Sequence, residues 1–178
     1  MISNATDHAM VTRRSVQQDI KQGRPFRSLA QEATIALLRT ASVVGRTYTR
    51  VLESHGLSFA QYNALRIIRG AGTAGIATLA IRERMIEDGT TITRLIDKLE
   101  SARLIARERS TPDRRQVICV ATADGRRLLD RLDPLVDAAD EAAVAALSQR
   151  QLENLVAALN VVRYSNAERG AARTAPAE

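Results

Sequence analysis

Five side chains within nine residues, Thr90, Thr91, Thr93, Arg94 and Lys98, are of the types that hydrogen-bond bases and phosphates. They stand on a segment in which Ile92, Leu95, Ile96 and Leu99 fall at offsets of 0, 3, 4 and 7, the spacing of a helix with one buried side. The outward side is Thr90, Arg94, Asp97 and Ser101, flanked by Thr93 and Lys98. Arg94 can donate two hydrogen bonds to a guanine or hold a phosphate; three residues from Asp97, it can equally form a pair within the helix. The threonines can offer short hydroxyls beside the amides of the helix start, or serve as caps and packing groups. Asp88 or Thr90 is expected to cap the helix. A second cationic group, Asp113-Arg114-Arg115, lies between two runs that read as strands, Leu104 to Arg109 and Gln116 to Ala121, and so sits at the tip of a hairpin.

Composition narrows the chemistry available to such residues. The 178 residues, 45% apolar and 26% charged, suit one globular domain and leave no room for two large ones. Twenty-six basic against 20 acidic residues give a net charge of +6, which favours an acidic polymer as partner. Three Tyr, two Phe and no Trp are too few for the stacking platforms that hold single strands, so duplex DNA is the expected nucleic acid. The lone Cys119 cannot form an intrachain disulfide, and with His8 and His55 alone it cannot complete a four-ligand zinc site, so neither metal nor cofactor is expected. Cys119 reads as a small apolar filler in a strand. Glycine-rich phosphate loops and nucleophile motifs are lacking, so the chain is not expected to be an enzyme. The longest apolar run, Ala142 to Leu147, is far below the roughly 18 residues that cross a bilayer, and the first 25 residues carry no apolar signal core. A cytoplasmic protein without a membrane partner is expected.

The elements that must position these groups follow from the apolar spacing. Residues 1–28 form a basic N-terminal extension, expected to be loosely ordered, with a weak helical pattern through Val16 and Ile20. Residues 29–56 read as a long helix for dimerisation, closed by Gly56. In the 57–121 region, Ser58 and Gln61 open a second helix that runs to Gly70, and a short third helix spans Thr78 to Met85. The recognition helix covers about 89–102, and the hairpin forms a wing at about 105–121. Residues 122–165 read as two more dimerisation helices. Thr122 caps the first, in which Pro134 predicts a kink; Ser148-Gln149-Arg150-Gln151 opens the second, whose run ends near Tyr164. Residues 166–178 are expected to fray. The fold class is therefore mainly α with a small two-stranded β wing: a winged helix-turn-helix plus long dimerisation helices.

Between residues 94 and 131 there are ten basic and six acidic side chains; between 132 and 160 there are one and five. The basic stretch is expected to face DNA and the acidic, apolar-striped one a second copy, although a charged run is also simply a solvated face. A monomer this small has no third layer to bury the apolar stripes at its two ends, which favours a homodimer.

The chain resembles the MarR family of bacterial transcription regulators over about residues 30–163. Thr93-Arg94-Leu95-Ile96-Asp97-Lys98-Leu99-Glu100 looks like the family's recognition helix, and Asp113-Arg114-Arg115, with Val117, Val120 and Thr122, like its wing signature. Ala121 stands where that signature usually has Leu. The resemblance implies a helical homodimer that addresses a palindromic operator. Arg115 would then be the wing arginine in a narrow minor groove, oriented by Asp113, with Arg114 on a phosphate; a local turn salt bridge is the competing role for Arg115. It also implies a cleft for a small aromatic or phenolic effector, which Tyr48, His55 and Phe59 could line, although a core aromatic and a surface histidine explain these residues more simply. The expected function is a ligand-responsive DNA-binding regulator, usually a repressor. The alternative is a dimeric partner- or ligand-binding protein that keeps the fold without a specific operator.

Overall fold

The computed structural model describes residues 14–86, 91–109 and 116–174. It divides into two compact units, one ending at Arg50 and one beginning at Val51.

In the first unit the described part of the extension, residues 14–28, is more ordered than its composition suggests. Ser15 caps a short helix, α1 (Val16–Asp19), through a capping box: Gln18 N donates to Ser15 Oγ at 3.3 Å and Ser15 N to Gln18 Oε1 at 3.0 Å. Asp19 then meets Arg39 on helix α2 (Leu29–Glu53), with Oδ2 and Nε 2.5 Å apart. Val16, Ile20 and Phe26 are half-buried. A loosely ordered arm was expected because five cations crowd residues 13–27. The order comes from a local cap and a long-range ion pair, neither of which leaves an apolar period.

The second unit is built around helix α3 (Phe59–Gly70), which buries Tyr62, Asn63, Ala64, Leu65 and Ile68. The expected capping box is present, with Gln61 N donating to Ser58 Oγ at 3.2 Å and Ser58 N to Gln61 Oε1 at 2.8 Å. A single turn of 3-10 helix, Gly72–Ala74, leads into strand β1 (Ile76–Ala77) and helix α4 (Thr78–Arg84). Helix α5 (Ile92–Ser101) is followed by strands β2 (Ile105–Arg109) and β3 (Val117–Ala121). The sheet order is β1-β3-β2, antiparallel throughout, with Arg107 opposite Cys119 and Ile76 opposite Cys119 on the other side. β1 thus adds a third strand to the expected two. Two residues are too few to show a period-2 pattern, so sequence spacing could not reveal it.

Helix α6 (Ala123–Val144) starts at Thr122, whose Oγ1 accepts from Gly125 N at 3.0 Å, and runs unbroken through Pro134. Its buried residues Gly125, Leu129, Leu132, Val136 and Ala139 keep it on the core. Ser148 and Gln151 cap helix α7 (Gln149–Thr174), which continues ten residues past the expected end at Tyr164. Ala, Arg and Glu are strong helix formers, so this stretch is helical without an apolar face. Leu155, Val156, Val161, Val162 and Tyr164 on α7 are exposed. Among the described residues, no helix is long and apolar enough to cross a membrane.

Candidate nucleic-acid interface

Helix α5 is one-sided, as its spacing requires. Leu95, Ile96 and Leu99 are buried, and Thr91, Thr93, Arg94, Asp97 and Lys98 are exposed. Thr91, Arg94 and Lys98, at offsets 0, 3 and 7, form one outward ridge. This ridge borders a cavity of about 250 Å³ with Ser58 and Ala60 at the start of α3. Two cations therefore stand beside a helix N-terminus, where backbone amides point outward and negative charge is favoured. The N-cap of α5 is Thr91, without a side-chain cap bond. Thr90 and Asp88, the expected caps, lie outside the described residues, as do the wing-tip residues Asp113, Arg114 and Arg115.

The pair weighed between Arg94 and Asp97 does not form. Asp97 Oδ1 instead accepts from Arg107 Nη1 at 2.8 Å, while Arg107 Nε donates to Glu100 Oε2 at 2.9 Å. Among the described residues, Arg94 and Lys98 enter no ion pair. Capture of both acids by a strand arginine leaves the ridge cationic. The Arg107 guanidinium holds the Glu100 carboxyl below its ordinary range, and the two acids push Arg107 further up. Sequence reasoning missed Arg107: its offsets of ten and seven from Asp97 and Glu100 match no helical or hairpin pairing rule. A second residue missed is Asn63, buried on α3, whose Oδ1 accepts from Ile86 N at 2.9 Å and so fixes the chain after α4. A polar residue within an apolar run was the available signal.

The residues suggested for an effector are distributed between the two units. Tyr48 is half-buried on α2 in the first. His55 is exposed in the second, its Nδ1 3.0 Å from Ser54 Oγ and 3.1 Å from Val51 O, which ties it to the end of α2. Phe59 is half-buried at the first position of α3. Cys119 is fully buried, and burial raises its thiol pKa. No cluster of three or more metal-binding side chains occurs among the described residues.

Comparison with known proteins adds four findings. A family model described as the MarR family matches residues 57–117. The HTH-type transcriptional regulator TtmR of Methylorubrum extorquens is 32% identical over 123 residues, covering 69% of this chain and 62% of that protein, so the chain spans less than two thirds of that relative's length. Among solved structures, a MarR transcription factor from Planctomyces limnophilus is 34% identical with a TM-score of 0.59, over 77% of this chain and 99% of that one. CouR from Rhodococcus jostii RHA1, solved bound to p-coumaroyl-CoA, is 25% identical with a TM-score of 0.65, over 77% and 95%.

Proposed function

The chain belongs to the MarR family of transcriptional regulators, which are not enzymes, and on that footing we propose that it is a homodimeric, ligand-responsive repressor of a palindromic operator. The observation that carries this is the α5 ridge of Thr91, Arg94 and Lys98, whose two cations enter no ion pair among the described residues and which is seated on a buried apolar face. Exposed Thr93 extends the same reading surface; the proposal also assigns DNA contacts to Thr90 and, at the wing, a phosphate contact to Arg114 and a minor-groove contact to Arg115 with Asp113 orienting it. The exposed apolar side chains of α7 and the Leu37, Leu38 and Val43 side chains of α2 support burial against a second copy. Such a dimer presents two readers to half-sites about 10 base pairs apart.

The phenolic acyl group of the p-coumaroyl-CoA bound to CouR supports an effector that carries an aromatic ring, with Tyr48, His55 and Phe59 as its proposed contacts. Such an effector must bind the conformation that does not fit DNA more tightly, because equal affinity for both shifts nothing. The test is nuclease footprinting on the DNA upstream of the chain's own gene. Two protected half-sites about one helical turn apart are expected. Uniform protection that vanishes with modest salt would instead support a fold kept for another partner.

A further inference from the structure

Arg69, one residue before the end of α3, reaches two carboxylates on α6. Its Nη1 lies 2.8 Å from Asp133 Oδ2 and 3.4 Å from Asp130 Oδ1. The two acids are one turn apart, about 4.5 Å along the helix axis, so the guanidinium is bracketed along that axis. The bracket also grips α6 where it is weakest. Pro134 has no amide to donate to the Asp130 carbonyl, so the helix lacks a bond at that turn. Buried Leu129, Leu132 and Val136 hold the two helices together, but apolar contact has no preferred direction and leaves sliding and tilt weakly fixed.

The neighbouring charges leave Arg69 to this task. Arg66, one turn earlier, lies over the Tyr62 ring at 5.6 Å. Both arginines border a cavity of about 200 Å³ that Asp133 and Asp137 share, so the bracket has space to open. Helix α3 packs against α5 on one side and α6 on another. The α3–α6 crossing therefore sets the direction in which α6 leaves the DNA-reading module.

We propose that Arg69 is a positioning residue for operator binding: by bracketing Asp130 and Asp133 it braces α6 at Pro134 and fixes how the reader is carried. This rests on the DNA-binding reading above. The test compares Arg69→Ala, the double variant Asp130→Asn/Asp133→Asn, and all three changes together in the full-length protein.

Arg69→Ala and the double variant are each expected to weaken operator binding about tenfold, the triple variant no further, with the salt dependence unchanged. Amide exchange in residues 131–138 rises by about tenfold in all three variants, while thermal midpoints stay within about 2 °C because the pair is half-exposed. A smaller salt slope for Arg69→Ala would make it a phosphate contact and overturn the proposal. Normal or tighter binding by the double Asn variant, or additive losses, would do the same. If the native chain has no operator, the DNA-binding reading fails by itself. The exchange measurement still tests the brace, and unchanged exchange overturns it.

Discussion

Arg107 on β2 donates from Nε to Glu100 Oε2 on α5 across 2.9 Å, joining the strand that leads to the wing to the helix that carries the reader's cations. The same guanidinium reaches Asp97 at 2.8 Å. Three groups on two elements thus fix the angle between helix and hairpin with a planar, bidentate donor that a lysine could not imitate.

Glu100→Gln tests that junction by pH. The Glu100 carboxyl is held below its ordinary 4.5 by Arg107, so its stabilisation is present above pH 4.5 and is lost as pH falls through the lowered folded-state value. At pH 7 the variant is expected to unfold about 2–4 °C below the native chain. The gap closes progressively below pH 4.5. Differential scanning calorimetry of both chains across pH 3–7 checks it, and a gap that widens toward acid would contradict the junction.

Arg103→Gly is expected to stabilise the protein. Arg103 ends α5 in the left-handed region, at φ 58°, with Arg103 N bonded to Glu100 O at 2.8 Å and Leu104 N to Leu99 O at 3.0 Å. This is a Schellman turn, whose left-handed position glycine occupies without strain. Relief of that strain outweighs glycine's greater chain entropy by about 0.5–1 kcal/mol. Urea titration measures the gain, and a loss of stability would show that the Arg103 side chain contributes more than its backbone costs.

Gly125→Ala should be severely destabilising. A Cβ there would sit 2.1 Å from Leu104 O and 3.3 Å from Leu65 Cδ1. The nearer atom is backbone, and Leu104 O already accepts from Thr122 N at 3.0 Å, so it cannot move without breaking the entry to α6. A loss of about 3 kcal/mol or more is expected by chemical denaturation. A change below about 1 kcal/mol would mean that the α6 start can shift freely.

In the N-terminal unit, Asp19→Asn is expected to loosen the extension while sparing the rest of the chain. Arg39 holds the Asp19 carboxyl below its ordinary 3.8, and their 2.5 Å contact is the long-range tie of α1 to α2. Tryptic cleavage after Lys21 should accelerate about fivefold or more, since proteolysis follows the open population. Unchanged cleavage would show that half-buried Val16 and Ile20 hold the arm without the ion pair.

What the sequence made legible was what leaves a period or a cap. The α5 stripe of Leu95, Ile96 and Leu99, the capping boxes at Ser58 and Ser148, and the Thr122 cap each consist of residues within a few positions of one another. The pairs of Arg107 with Asp97 and Glu100, of Arg69 with Asp130 and Asp133, and of Asp19 with Arg39 join separate elements. Charge alone cannot assign such partners among 26 basic and 20 acidic residues. The two-residue β1 and the far end of α7 escaped for opposite reasons: one is too short for a pattern, the other helical by propensity without one.

The most direct test of the central claim is a fluorescence titration, near physiological salt, of the native chain and Arg94→Ala against the DNA upstream of its own gene and against a scrambled duplex of the same composition. The native chain is predicted to prefer its own region by about three decades or more, and Arg94→Ala to lose about 1–3 kcal/mol on that region with a smaller loss on the scrambled duplex. Equal affinity of the native chain for both duplexes, with Arg94→Ala weakening each alike, would contradict sequence-specific reading by α5.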